Sequence, residues 1–285
     1  MARVKTSSVR EAQNAAKTLY ANINFASVDE PIKSIVITST IPNEGKSTVA
    51  LYLAEAAAQS GKRTLLVECD MRRRSLANML GTHTRFGLYA VLSGQANLEQ
   101  ATVATTTGAR FLDAEPRVPN PADLLQSKRF AQLMKNMEDA FDLVVIDTPP
   151  VGTFVDAAIV AAHAGAAALV VRENFTRRAD ATAALEQLRK ADANVIGAVM
   201  NFCVAQSSEY YYAYYNKDGK RVKKSRHVEA EASALKSVSA IDVVPGPQAR
   251  SGASSGSAAA GAGATSSPVK PVSPTPHLSR KGGKR

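Results

Sequence analysis

The residues with the clearest chemical potential are Gly45-Lys46-Ser47-Thr48, which close a loop that begins near Thr40. A glycine followed by a lysine and two hydroxyls suits a polyphosphate. The backbone N–H groups of such a loop wrap phosphate oxygens, and the positive end of a following helix reinforces them. Lys46 would bridge the β and γ phosphates, the Ser47 hydroxyl would hold Mg²⁺, and Asn43, Glu44, Gly45 and Thr48 would complete the cradle. The spacing departs from G-x-x-x-x-G-K-[ST] at one position, where Thr40 replaces the first glycine. Two acidic sets could serve the same ligand. Glu68 and Asp70 lie two residues apart in Glu68-Cys69-Asp70-Met71-Arg72, so on an extended chain their carboxylates share one face. Asp147 ends an apolar run and precedes Thr148-Pro149-Pro150, a place from which a carboxylate reaches Mg²⁺ through water. Without the loop, the first set reads as a solvated turn and Asp147 as a cap.

Positioning these groups requires strands that end together. Residues 35–38 (IVIT) form a short buried strand, 47–60 a helix stopped by Gly61, and 64–68 (TLLVE) a second strand. Three more strands are predicted at 143–147, 167–171 and 195–200, with helices near 127–140 and 178–191 and a further helix over 9–26 ahead of the core. Strands alternating with helices of this length predict an α/β fold of the P-loop NTPase type, a doubly wound, mostly parallel sheet with helices on both faces. Ligands of such sheets sit beyond the carboxyl ends of the strands. Asn201, at the end of VIGAVMN, therefore reads equally as a nucleobase contact or as a turn residue.

Composition narrows the function classes. The net charge of +10 suggests nucleic acid until it is located: residues 217–285 carry thirteen Lys and Arg against four Asp and Glu, so the remainder is near neutral and no nucleic-acid partner is expected. The most apolar stretch, 154–171, is interrupted by Asp156 and His163 and reads as helix, loop and buried strand, not as a membrane span. The start, MARVKTSSVR, has no apolar segment after its basic residues, which predicts a cytoplasmic protein. Cys69 and Cys203 each fall near the end of a predicted interior strand and read as small apolar residues. His83, His163, His227 and His277 are scattered and read as structural. Five of the eight tyrosines, Tyr210, Tyr211, Tyr212, Tyr214 and Tyr215, follow the last strand. The Ser, Ala, Gly, Pro and Lys composition of 217–285 predicts disorder. The predicted organisation is a helical segment over 1–30, a nucleotide-binding domain over 31–206, a tyrosine cluster over 207–216 and a basic tail over 217–285.

Together, TIPNEGKST, LLVECDMRR and LVVIDTPP resemble the Walker A, A′ and B motifs of the bacterial tyrosine kinases of capsule and exopolysaccharide systems. NPADLL at 120–125 and the tyrosine cluster extend the resemblance over about residues 9–216. It implies ATP and Mg²⁺ as cofactors, phosphate and metal binding by Lys46 and Ser47, and ordering of the metal or its waters by Asp70 and Asp147. Arg72 closes Walker A′ and joins the nucleotide contacts. Glu68 takes the place of an aspartate that is the family's candidate for activating the tyrosine hydroxyl, a phenol of pKa about 10. Its extra methylene displaces the carboxylate by about 1 Å, an error worth about 100-fold in rate. The family's N-terminal E-x-x-R-x-x-R assembly motif aligns with Asn14, Lys17 and Tyr20, so one charge survives. The resemblance further implies self-association, a separate transmembrane chain-length regulator as activator, recruitment by it to the inner face of the plasma membrane, and protein tyrosine substrates.

The implied function is an ATP-dependent protein-tyrosine kinase that autophosphorylates the cluster 210–215 and regulates capsular or exopolysaccharide synthesis. A positioning or partition ATPase of the deviant Walker type is the alternative, although its signature lysine position holds Ile41. A catalytically weak ATP-binding scaffold, motivated by Glu68, is the third.

Overall fold

The computed structural model describes residues 6–27, 30–116 and 118–203. The expectations for the tyrosine cluster, the basic tail, His227 and His277 lie outside the described residues. The helix α1 (Thr6–Ala26) precedes β1 (Ser34–Ser39), α2 (Lys46–Gln59) and β2 (Thr64–Glu68). The short helices α3 (Leu76–Leu80), α4 (Leu88–Leu92) and α5 (Leu98–Ala101) lead to β3 (Thr102–Ala104) and β4 (Arg110–Leu112). Then follow α6 (Pro121–Leu125), α7 (Lys128–Ala140), β5 (Leu143–Asp147), α8 (Asp156–Ala161), β6 (Ala166–Arg172), α9 (Arg178–Lys190) and β7 (Val195–Asn201).

The strands form one seven-stranded sheet in the order β3-β4-β2-β5-β1-β6-β7. All neighbours are parallel except β3 with β4. Buried strands with apolar residues on both faces are what a sheet covered by helices on both sides demands. Val36, Leu65, Val67, Val144 and Ile146 point into one core with α4, α7 and α8. The alternate residues Ile35, Ile37, Leu66 and Val145 point into the other, under α1 and α2, where Leu19 and Ile23 of α1 are buried. Each predicted strand and long helix is present within one residue of its expected bounds, except that α1 begins three residues earlier than expected, and 154–171 resolves into α8, a loop and β6.

Two differences have physical causes. The strands β3 and β4 have three residues each, too short for a period-2 pattern, and β3 is the antiparallel edge of the sheet. The other correction is Cys203, expected to pack like an interior residue. Among the described residues β7 pairs with β6 alone, so it forms an edge, and Cys203 just past it is exposed. Cys69, behind the centrally placed β2, is buried.

Candidate nucleotide-binding and catalytic site

The loop between β1 and α2 holds its shape through Glu44. This side chain is 0% exposed and its two oxygens accept the Thr40 hydroxyl at 2.6 and 2.7 Å. The Ile41 N–H donates to Oε2 at 3.0 Å, and the Thr176 hydroxyl donates to Oε1. Thr40 thus supplies a side-chain tether where a glycine is usual, and the departure in the motif has a local explanation. Asn43 and Gly45 adopt left-handed φ of 70° and 87°. A Cβ on Gly45 would lie 2.2 Å from Asn201 Nδ2, which itself donates to the Glu44 carbonyl at 2.9 Å. Gly45 therefore satisfies both a backbone conformation and a close approach. A Cβ on Gly152, in the loop after β5, would lie 2.3 Å from the Thr40 carbonyl oxygen.

Lys46 Nζ sits among acids: 2.9 Å from Asp70 Oδ2, 3.5 Å from Asp147 Oδ1 and 3.2 Å from Ser47 Oγ. Burial lowers the lysine pKa, but the carboxylates of Asp147 and Asp70 outweigh it and hold the ammonium above its usual value. The backbone N–H of Arg73 donates to Asp70 Oδ1 at 2.9 Å, fixing that carboxylate at the cleft, and Ser75 Oγ donates to Ser47 Oγ at 2.7 Å. Parallel register places Glu68 opposite Asp147. Burial pushes Asp147 up to about 6, against the pull of the Lys46 charge. Its Oδ2 is buried and has no hydrogen-bond partner. These residues suit a divalent cation: a hydroxyl and two carboxylates, one of them with an orphaned buried oxygen, gather where an ammonium already stands, and one or two carboxylates beside substrate phosphates is the usual setting of Mg²⁺.

Glu68 lies apart from the cleft. It is 0% exposed, and its Oε2 accepts the N–H groups of Ser75 at 2.9 Å and Leu76 at 2.7 Å, at the start of α3. Its Oε1 is buried without a partner, and burial followed by the Asp147 charge raises its pKa to about 8. The extra methylene carries this carboxylate onto the α3 N-terminus, while Asp70 faces Lys46. Arg72 reaches back to Asp156 at the start of α8, with three N–O distances of 3.1 to 3.2 Å, and its guanidinium carbon lies 4.3 Å over the Phe154 ring.

Asn43, Gly45, Lys46, Ser47, Thr48, Asp70 and Arg72 all line one open cleft, whereas Glu44 and Glu68 support it from below. At the other side of the loop Arg172 Nη1 donates to the Asn43 carbonyl at 3.4 Å, and its guanidinium carbon lies 4.3 Å over Phe202. Sequence reasoning missed Phe154, Asp156, Arg172 and Thr176. Asp156 was visible as a charge in an apolar stretch, but the others belong to no spacing pattern, because three-dimensional closure alone brings them to the loop.

A family model described as ParA, NUBPL iron-transfer P-loop NTPase, matches residues 32–241. The chain is 38% identical over 204 residues to the tyrosine-protein kinase YwqD of Bacillus subtilis (strain 168), spanning 71% of this chain and 86% of that protein. It is 33% identical to the tyrosine-protein kinase wzc of Salmonella typhimurium (strain LT2), spanning 73% of this chain but only 30% of that longer protein. Among solved structures, the kinase domain of Escherichia coli tyrosine kinase ETK superposes with a TM-score of 0.66 at 29% identity, covering 69% of this chain and 77% of that one.

Proposed function

The chain belongs to the bacterial tyrosine kinases, protein-tyrosine kinases on a P-loop nucleotide-binding fold, and from that premise we propose that it transfers the γ-phosphoryl group of MgATP to Tyr210, Tyr211, Tyr212, Tyr214 and Tyr215 of another copy. The observation that carries this reading is the convergence of Lys46, Ser47, Asp70 and Asp147 beside a glycine-kinked anion loop, in a chain with five tyrosines close behind its last described strand. The names of relatives, such as the tyrosine-protein kinase CpsD of Streptococcus pneumoniae, support action in capsule or exopolysaccharide synthesis. None of the described helices is long and apolar enough to cross a membrane. In the same proposal the kinase works in the cytoplasm and is recruited to the inner face of the plasma membrane by a transmembrane activator.

In this reading loop N–H groups and Lys46 hold the β and γ phosphates. Ser47 would hold Mg²⁺, with Asp70 and Asp147 ordering its waters. Bound there, the ion would neutralise charge on the phosphates. The phenolic oxygen forms a bond to the γ phosphorus, the bond to the β–γ bridging oxygen breaks, and ADP leaves with its electron pair. In this reading Asp70, which lines the cleft, accepts the phenol's proton, while Glu68 acts as a positioning residue by capping α3. Phosphoryl transfer asks chiefly for positioning and charge neutralisation, which this arrangement supplies. Incubation of the purified chain with MgATP, followed by mass spectrometry, should show phosphate on 210–215. Lys46→Met should remove it; cluster phosphorylation that persists in that variant would overturn the reading.

A further inference from the structure

The tyrosines within the described residues are Tyr20, Tyr52 and Tyr89, and their surroundings differ. Tyr20 packs against the core beneath α1 and α2, and Tyr52 is half-buried on α2. Tyr89, on α4, lines a surface cavity of about 560 Å³ that α4 shares with the start of α7. Its place is fixed from the backbone, because Glu115 accepts the N–H groups of Gly87, Tyr89 and Ala90 at 2.7, 2.7 and 2.8 Å. Its hydroxyl has no hydrogen-bond partner among the described residues. Two exposed cations, Lys128 and Arg129, line the same cavity, and neither pairs with a carboxylate among the described residues. Arg129 Nη1 donates to the Leu92 carbonyl at 3.3 Å, which holds the guanidinium against the end of α4. Asp123 is the one acid of the lining, so positive charge is in excess. A phosphotyrosine brings about −1.5 to −2 charges and three strong acceptor oxygens, for which adjacent cations without carboxylate partners are the natural seat.

We infer that Tyr89 is a further phosphoacceptor of this kinase, and that Lys128 and Arg129 seat the phosphate it acquires. The inference rests on the kinase reading and adds a modification site on the folded domain, apart from the cluster 210–215. This cavity and the nucleotide cleft share no lining residue, so the phosphoryl donor is MgATP held by a second copy. The Tyr89 phenolic oxygen forms a bond to the γ phosphorus, the bond from that phosphorus to the β–γ bridging oxygen breaks, and ADP leaves with the electron pair. The phenolic proton passes to Asp70 of the copy that holds the nucleotide. Once formed, the phosphate ties α4 to the first turn of α7 through the two cations.

The test incubates the full chain with MgATP and reads each tyrosine by mass spectrometry, with the cluster 210–215 as internal standard of kinase activity. Tyr89 should acquire phosphate, and Tyr20 and Tyr52 should not. A protein-tyrosine phosphatase added afterwards probes the seat. The double variant Lys128→Ala, Arg129→Ala should lose the Tyr89 phosphate about tenfold faster than the parent, the effect of one hydrogen bond to a charged group, while loss from the cluster keeps its rate. Both side chains are exposed, so the substitutions spare the core, and the charge-preserving exchange Lys128→Arg, Arg129→Lys should restore the slow rate. A phosphorylated cluster with Tyr89 unmodified overturns the inference and leaves the kinase reading standing, whereas phosphate at neither place overturns both. Phosphate on Tyr20 and Tyr52 to the same extent as on Tyr89, or equal rates of loss from Tyr89 in the parent and the alanine variant, also overturns it.

Discussion

Two fully buried glutamates support the cleft from beneath, one in the phosphate loop and one at the end of β2, and their surroundings differ. Every oxygen of Glu44 is engaged, by Thr40, Ile41 and Thr176. Glu68 engages one oxygen on the α3 N-terminus and leaves the other buried without a partner, beside an Asp147 oxygen in the same condition. The loop is therefore built to stand without its ligand. The acid region carries more buried carboxylate than its lone lysine satisfies, and a cation arriving with a nucleotide would relieve it. Rigidity in the first region and unspent charge in the second are complementary halves of one device, because preorganised donors act on charge without reorganising.

The largest effect should come from the acid side. Asp147→Asn removes one of the two carboxylates facing Lys46 and should lower the initial rate of tyrosine phosphorylation about 100- to 1000-fold, the range found when a preorganised electrostatic group is lost. A rate above a tenth of the parent's would show that the unspent charge is incidental. On the loop side the effect should appear in stability first. Glu44→Ala leaves the buried Thr40 hydroxyl and the half-buried donors of Ile41 and Thr176 without their acceptor and should cost about 3 kcal/mol in urea unfolding. MgADP affinity, measured by calorimetry, should fall about tenfold as the loop loosens. Equal affinity in this variant would mean that the loop draws its shape from the ligand after all. Gly152→Ala probes the same half more gently. Its Cβ would stand 2.3 Å from the Thr40 carbonyl oxygen, and relief of that overlap should cost about 1–3 kcal/mol.

How far the sequence showed these differences depends on what each contact is made of. Strands at 35–38 and 143–147 were legible because they are continuous apolar runs between turn signals, and the lysine and acids at their ends followed from motif spacing. The division of labour between Asp70 and Glu68 was not legible. Alternation along an extended strand put both on one face, whereas the chain turns after Glu68 and the glutamate caps α3. The tether from Thr40 to Glu44 to Thr176 spans 132 positions between its last two members, and no local pattern encodes such a pairing. The Arg72–Asp156 pair is hidden for the same reason, 84 positions apart.

The smallest effect is the one that separates capping from catalysis at Glu68. In the folded state its pKa is about 8 against a usual 4.5, so between those values the folded chain holds a proton that the unfolded chain has released. Its contribution to stability is full below about pH 4.5 and declines as pH rises toward 8. Asp147, raised from 3.8 to about 6, adds a decline of the same sign over a lower window. Glu68→Gln cannot ionise, yet its carbonyl oxygen can still accept from Ser75 and Leu76. The melting temperature of this variant without nucleotide should therefore gain on the parent steadily from pH 5 to pH 8 and stay level with further rise. A gap that is the same at pH 5 and pH 8 would contradict the burial argument. Phosphorylation rate supplies the second reading: a capping residue keeps the rate within about tenfold, whereas loss of a proton acceptor at the reacting hydroxyl costs about 100-fold or more. Should Glu68→Gln be both stabilised and that slow, the glutamate would have to leave α3 and enter the cleft when substrate binds, and the division between a supporting and a reacting acid would fall.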